Sequence, residues 1–156
     1  MTKINLDTVL IGQGLEEIPF GSSPDVVRQA LGAPDSRESD DEGDQSFTYE
    51  KLGLELTFWA DLGDGLGTIG TERPTARLRG RRIVGQSMDR IRDFIRHDLE
   101  AEITDEGGCV HQDGHVQSWV DVDSLNLSFW FRDHVLYLLD WSGEWVDDQP
   151  AWYRRR

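Results

Sequence analysis

The sequence predicts an α+β protein built from two tandem repeats, each a helix followed by an antiparallel sheet. Three observations support this fold class. A strand-like pattern occurs twice, as LELTFW from Leu54 and as LNLSFW from Leu125. A helix-like pattern also occurs twice, and apolar and polar residues alternate along both strand patterns, which is typical of strands with one buried face. We therefore expect two units, residues 1–73 and 74–156, within one compact domain.

The helix pattern repeats at a spacing of 64 residues, from Phe20 and from Val84. Each copy begins with an apolar residue, a glycine, a polar residue and a serine. Ser23 and Ser87 are predicted N-caps, because a serine hydroxyl accepts a hydrogen bond from the first helical turn. The sequence Gly-Ala-Pro from Gly32 is a typical helix end. The apolar spacing predicts one buried face on each helix, made of Val27, Ala30 and Leu31 and of Ile91, Phe94 and Ile95.

Each helix should be followed by a loop and three antiparallel strands. The two strand patterns lie 71 residues apart, so the second unit has seven more residues between its helix and its sheet. In the first unit this connection contains the acidic run Glu38–Asp44, which has no apolar residue to bury. We expect this run to be an exposed loop.

The strand alternation separates a face covered by the helices from an open face. Leucines and phenylalanines fall on the covered face of both strands. The open face carries one tryptophan in each copy, Trp59 and Trp130, among small polar residues and Glu55. Rigid aromatic side chains in such a setting favour a binding surface. The alternative is that each tryptophan packs under a loop, or against the other copy, as ordinary core.

The C-terminal segment is dense in aromatic residues, with Trp141, Trp145, Trp152 and Tyr153. This segment either folds back and closes the second sheet or forms one rim of a binding surface. Its last three residues, Arg154–Arg156, would be a solvated end.

The charge balance favours a basic protein partner. The chain has 16 basic and 30 acidic residues, a net charge of −14. This argues against nucleic acid as a partner, because phosphate contacts need lysine and arginine. Residues 1–73 have a net charge of −10 and the remainder −4, so the first unit is the more acidic. Solubility alone is the alternative explanation of the charge.

The expected compartment is the cytoplasm. The single cysteine, Cys109, excludes an intrachain disulfide, and the N-terminus does not resemble a secretory signal. We expect neither a membrane span nor a membrane partner, because no apolar stretch approaches the required length.

Sequence motifs for catalysis or for a cofactor are weak, and we expect neither. The segment Cys109–His115 contains a thiol and two imidazoles, but its glycines predict a turn and no second cysteine pair completes a zinc site. A surface loop is the expected structure. An enzyme with an unfamiliar site at this loop is the alternative.

One pattern in the first unit resembles a known half-fold. It consists of Ile11, Gly12, Ile18, Phe20, Gly21, Ser23, Val27, Leu31, Gly32, Pro34 and Asp35. It is similar to the helix-plus-sheet unit found in tandem in the beta-lactamase inhibitory proteins, singly in a lipoprotein of the barrel-assembly machinery, and in cytoplasmic immunity proteins of polymorphic bacterial toxins. The resemblance implies a protein-binding inhibitor whose two sheets form one continuous concave surface with the helices on the other face. The chain has no disulfide and no lipid-bearing cysteine near its start, which favours the immunity proteins among these relatives.

The hypothesis from the sequence is therefore an immunity protein that occludes the active site of a secreted, basic toxin such as a nuclease. The acidic run would raise the association rate, and the aromatic residues would slow dissociation. A cytoplasmic scaffold or adaptor with an endogenous protein partner is the alternative. The predicted partner-binding residues are Trp59, Trp130, Asp40, Asp41, Glu42, Asp44, Tyr49, Glu55 and Trp141.

Overall fold

The computed structural model describes residues 4–146 and 149–153 and contains two α-helices beside a large antiparallel sheet. The helices are α1 (Pro24–Leu31) and α2 (Met88–His97). The strands of the first half are β1 (Thr8–Val9), β2 (Ser36–Ser39), β3 (Gln45–Tyr49), β4 (Leu54–Trp59) and β5 (Gly65–Thr71). Those of the second half are β6 (Arg77–Leu78), β7 (Arg81–Arg82), β8 (Asp105–Val110), β9 (Val116–Val122), β10 (Leu127–Arg132), β11 (Val135–Ser142), β12 (Trp145–Val146) and β13 (Gln149–Pro150).

The main sheet has eight strands in the order β2-β3-β4-β5-β11-β10-β9-β8. Strands β2 to β5 follow α1 and pair with their neighbours in sequence, and strands β8 to β11 do the same after α2. The two halves join where β5 pairs with β11 in antiparallel fashion. The α+β class predicted from the sequence is confirmed.

The prediction of three strands after each helix is wrong, because each half has four. The additional strands are β2 and β8, the two edges of the sheet. Every residue of β2 is exposed, and so are all residues of β8 except the half-buried Gly107. Edge strands that bury no apolar face leave no alternating pattern in the sequence. The run Glu38–Asp44, predicted as a loop, therefore begins in β2 and continues through the hairpin turn to β3.

Both predicted helix caps are confirmed. The Ser23 hydroxyl accepts a hydrogen bond from the Val26 N–H at 3.2 Å, and the Ser87 hydroxyl accepts one from the Arg90 N–H at 3.3 Å. Helix α1 ends at Gly32, whose φ of 85° lies in the region that favours glycine. These signals fix where each helix starts, and hence which helical face meets the sheet.

The hydrophobic core lies on one face of the sheet. Leu56, Phe58, Phe129 and Phe131 are fully buried there. Residues of both helices belong to the same cluster, namely Val27 of α1 and Ile91, Phe94 and Ile95 of α2. Both helices therefore pack on this covered face. The alternate residues of β4 and β10 lie on the opposite, open face, as the alternation predicts.

A small sheet connects the start of the chain to its middle. Strand β1 pairs in parallel with β6, which pairs with β7. Beside it, the Asp7 carboxylate accepts hydrogen bonds from Arg73 Nε at 2.9 Å and from the Thr75 hydroxyl at 2.6 Å. These contacts hold the segment around Asp7 against the connection between the two halves.

The C-terminal segment folds back, although not as a simple closure of the second sheet. Trp152 packs beside Gly21 and Gly143, so it covers the entry to α1. The terminal residues Arg154–Arg156 lie outside the described residues. No helix among the described residues is long and apolar enough to cross a membrane.

Candidate functional site

A row of carboxylates crosses the open face of the sheet from one half to the other. Strand pairing places Glu55 opposite Gly70, Gly70 opposite Asp140, and Asp140 opposite Ser128. Ser128 lies opposite Asp121, which lies opposite Asp105. Paired residues on one face of a sheet are direct neighbours, so these positions form a continuous line over six strands. We call its four acids the acidic row: Glu55, Asp140, Asp121 and Asp105.

Two tryptophans lie beside the acidic row, two residue pairs further along β9 and β10. Trp130 is paired with Leu138 on one side and with Trp119 on the other. The Trp119 and Trp130 ring centroids are 5.9 Å apart, and the ring planes are inclined at 44°. Such a pair offers a wide, rigid apolar surface at a low cost in conformational entropy.

Hydrogen bonds connect these tryptophans to the acidic row. Trp130 Nε1 donates to the Asp140 carboxylate at 3.1 Å, and Trp119 Nε1 donates to the Asp105 carboxylate at 3.2 Å. Each bond fixes the orientation of an indole ring and of a carboxylate together. The two features are therefore one surface, which we call the acidic-aromatic strip: the acidic row with Trp119, Trp130 and Leu138.

Glycines allow the tryptophan rings to lie flat on the backbone. A Cβ at Gly107 would lie 2.1 Å from the Trp119 ring, and one at Gly67 would lie 2.2 Å from the Trp59 ring. A larger residue at either position would push the ring away from the sheet. Because they rest on the sheet, Trp59, Trp119 and Trp130 are all half-buried, with part of each side chain in contact with solvent.

The pKa of the Asp140 carboxyl group is higher than the ordinary value for aspartate. Its burial raises its pKa to about 6, against the opposing effect of the hydrogen bond from Trp130. The negative charges of Glu55 and Glu72 raise the pKa further. A cation placed next to Asp140 would favour the ionised form of this carboxyl group and lower its pKa.

An acidic cleft of about 190 Å³ lies next to Asp140. Glu50, Glu55 and Glu72 line it, together with the apolar side chain of Leu138 and the backbone at Gly70. Several water molecules, or one long side chain, would fill this volume. Its charge and shape match a lysine or arginine side chain better than an anionic or apolar one.

The acidic turn, residues 40–44, connects β2 to β3 at the edge of the sheet. Some of its carboxylates accept hydrogen bonds from backbone N–H groups, and others do not. Asp40 accepts hydrogen bonds from the N–H groups of Glu42 and Asp44, at 2.9 and 3.0 Å. Asp44 accepts one from the Ala60 N–H at 2.8 Å, next to Trp59. These two acids hold the turn and attach it to the end of β4. Asp40, Asp41 and Glu42 are exposed, whereas Asp44 is half-buried. Of these four predicted binding residues, Asp41 and Glu42 are therefore the exposed pair whose carboxylates are not the ones that hold the turn.

The two matched tryptophans lie on the same face but not at the same place. Trp59 lies at the end of β4 opposite Gly65, whereas Trp130 lies beyond the acidic row at Leu138. Strands β4 and β10 run in opposite directions, because three antiparallel pairings separate them. Trp59 and Trp130, which are equivalent in the two repeats, therefore lie on opposite sides of the acidic row. The aromatic neighbour of Trp130 is Trp119 rather than Trp59.

Two predicted binding residues are in the core, and their assignment to a binding surface is wrong. Trp141 is 1% exposed and packs edge-on against Phe20 at a centroid distance of 6.4 Å. Tyr49 is 4% exposed, and its hydroxyl donates to the Gly32 carbonyl at 2.9 Å. Both side chains point to the covered face, because each follows the alternation of its strand.

Several residues of the strip were missed by the sequence analysis. Trp119 lies in VQSWVDV, where Val116, Ser118, Val120 and Val122 alternate with polar residues and Trp119. That alternation was available in the sequence and would have placed Trp119 on the open face. Asp140 had no such signal, because its proximity to Glu55 depends on the pairing of β5 with β11. Glu72 lines the neighbouring cleft and lies near Glu55 because β4 pairs with β5.

The cysteine and histidine segment forms the hairpin between β8 and β9. Cys109 belongs to β8, and the turn spans residues 111–115. The His111 and His115 rings stack at 4.1 Å, and His111 Nε2 lies 2.8 Å from the Gln117 side-chain oxygen. No group of three or more histidine, cysteine or acidic residues in the described part of the chain is arranged to hold a metal ion.

Comparison with known proteins gives a structural similarity at low sequence identity. No protein-family model matches the chain, and no curated protein matches it. Among solved structures, the chain is similar to an extracellular protein containing an SCP domain from Bacillus anthracis, with 11% sequence identity and a TM-score of 0.49. The match covers 92% of this chain and 48% of that protein, so the chain spans about half of that protein's length.

Proposed function

We propose that this chain is a protein inhibitor, of the immunity-protein class, that binds a basic toxin domain through the open face of its sheet. The single observation that supports this best is the acidic-aromatic strip. Four carboxylates lie in a line, and two of them, Asp140 and Asp105, accept hydrogen bonds from a neighbouring pair of tryptophans. The strip thus combines charge complementarity with rigid apolar area. Such a surface favours a partner that presents arginine or lysine beside apolar residues.

The acidic cleft would receive one basic side chain of the toxin. A guanidinium or ammonium group there would contact Glu55 and Glu72, and would lie near enough to Asp140 to favour its ionised form. Binding would then release a proton from Asp140 when the pH is near 6. Inhibition itself would be steric, because a toxin surface held on the sheet is closed to its substrate.

We also propose that the fold is a duplication of one half, residues 1–73 and 74–156, with a concave open face. The repeated order of helix and four-stranded meander supports this, together with the two serine caps. A duplication has a physical benefit here. Neither half alone contains the acidic row, since Glu55 belongs to the first half and its other three acids belong to the second.

The test is a co-purification of the tagged chain with a catalytically inactive product of the neighbouring gene in the producing cell. A one-to-one complex, with loss of the active neighbour's activity on titration, would support the inhibitor. A protein partner other than the neighbour, with no effect on the neighbour's activity, would instead support the cytoplasmic scaffold or adaptor.

A further inference from the structure

A cleft lined by arginines lies beside α2, whereas the open face of the sheet carries the acidic row. Residues 77–98 contain seven arginines and three aspartates, a net charge of +4 within a chain of −14. Seven of the 16 basic residues thus fall in one short segment. The segment contains β6, β7 and α2, and α2 packs on the covered face of the sheet. This basic region is therefore on the other side of the molecule from the acidic-aromatic strip.

The cleft between β7 and α2 has a volume of about 400 Å³. Its apolar lining consists of Ile83, Ile91 and Phe94, whose side chains are 1%, 1% and 5% exposed. These residues also belong to the hydrophobic core, so the lining is rigid. The floor of the cleft is therefore preformed, and Phe94 exposes more of its side chain there than Ile83 or Ile91.

Arginines form the rim of this cleft, and two of them have no carboxylate partner. Arg81 Nε pairs with Asp98 at 2.9 Å. Arg82 and Arg90 form no ion pair with any residue in the ranges 4–146 and 149–153, and both are exposed. Within the described part of the chain, the Arg90 guanidinium donates one long hydrogen bond, of 3.5 Å, to the Gln86 side-chain oxygen. Two guanidinium groups above an apolar lining are suited to carboxylates that flank an apolar residue.

We propose that this cleft, which we call the arginine cleft, is a second binding site that takes an acidic peptide segment of a partner protein. Carboxylates of the peptide pair with Arg82 and Arg90, and one leucine or phenylalanine of the peptide contacts Ile83 and Phe94. Nucleic acid is a poorer occupant, because the apolar lining of the cleft would have no partner on a phosphate backbone, which is bound through many lysine and arginine contacts.

The inference does not depend on the proposed toxin, because the two surfaces lie on opposite sides of the sheet. Its probe is a fluorescein-labelled peptide, EELEEFEE, titrated with the full chain and followed by fluorescence anisotropy. Two comparison peptides separate the contributions. QQLQQFQQ removes the carboxylates and keeps the apolar residues, and EESEESEE does the reverse.

The matched variants carry equal changes of charge. The test variant is Arg82→Gln with Arg90→Gln, and the control is Arg79→Gln with Arg132→Gln, which lie outside the cleft. All four arginines are exposed, and circular dichroism verifies that each variant is folded. We expect the test variant to weaken binding of EELEEFEE by about tenfold and the control by less than about twofold.

Both comparison peptides should bind more weakly than EELEEFEE to the unmodified chain. The proposal is overturned if EELEEFEE does not bind the unmodified chain, or if the two pairs of substitutions weaken it equally. Equal binding of QQLQQFQQ also overturns it, because recognition would then not involve carboxylates.

Discussion

Asp140 lies directly opposite Gly70 where the two halves of the sheet join, and a Cβ at position 70 would lie 2.5 Å from Asp140 Oδ1. The absence of a side chain on β5 is therefore what allows a carboxyl group on β11 to lie over the junction. Because that carboxyl also accepts from Trp130, the glycine positions the centre of the acidic-aromatic strip.

Gly70→Ala should destabilise the chain by about 1–2 kcal/mol, because the added methyl group displaces the Asp140 carboxylate. Urea unfolding gives the change in free energy. A double-mutant cycle supplies the control: in an Asp140→Ala background, Gly70→Ala should cost much less. If the cost is the same in both backgrounds, the two residues do not interact as described.

Ionisation of the Asp140 carboxyl group should lower the free energy of unfolding as the pH rises. Burial raises its pKa to about 6 from the ordinary value of 3.8, so the folded chain binds this proton more tightly than the unfolded chain. The free energy of unfolding should therefore decrease between about pH 4 and pH 6 and stay level above that range, as far as this group is concerned. Asp140→Asn should remove a decrease on the order of 2 kcal/mol, measured as the difference between urea curves at about pH 4.5 and pH 7.5. The idea fails if the two proteins show the same pH profile.

Asp7 should have the opposite effect on the pH dependence. The hydrogen bond from Thr75 is the main influence that lowers its pKa, and Arg73 adds to it. A lowered pKa contributes stability above the unfolded value that is lost as the pH falls through the folded value. Asp7→Asn should be less stable than the unmodified chain at neutral pH, with a difference that shrinks on acidification. Glu16→Gln, an exposed substitution of equal charge, is the control and should show no such trend.

The acidic turn should act on the association rate through Asp41 and Glu42. Replacing both by lysine should lower the rate of association with the toxin domain about tenfold at low salt, and flatten its salt dependence. Asp40 and Asp44 are unsuitable for this test, because their carboxylates hold the turn. Stopped-flow fluorescence measures the rate, and lysines at Glu16 and Glu17 form the control pair. Equal effects of the two pairs would mean that only net charge matters.

Local signals predicted the helices well and the sheet edges poorly. Ser23 and Ser87 marked both helix starts, because a cap depends on residues three positions apart. Strands β2 and β8 were not predicted, because neither strand buries an apolar face that would produce an alternating pattern in the sequence. The same limit applied to the site. Glu55 was identified from its own strand, but its neighbour Asp140 comes from the long-range pairing of β5 with β11. The number of aromatic residues in a segment does not show where each one lies. The alternation of β3 and β11 places Tyr49 and Trp141 on the covered face.

The central claim is that the acidic-aromatic strip binds the toxin domain, and the most direct measurement is the affinity of a matched pair of variants. Isothermal titration with the inactive product of the neighbouring gene would compare Glu55→Gln with Asp121→Asn against Glu16→Gln with Glu17→Gln. Both variants lose two negative charges, but only the first alters the strip. We predict that the strip variant binds at least about tenfold more weakly and that the control changes by less than about twofold. Equal affinities of the two variants would contradict the claim.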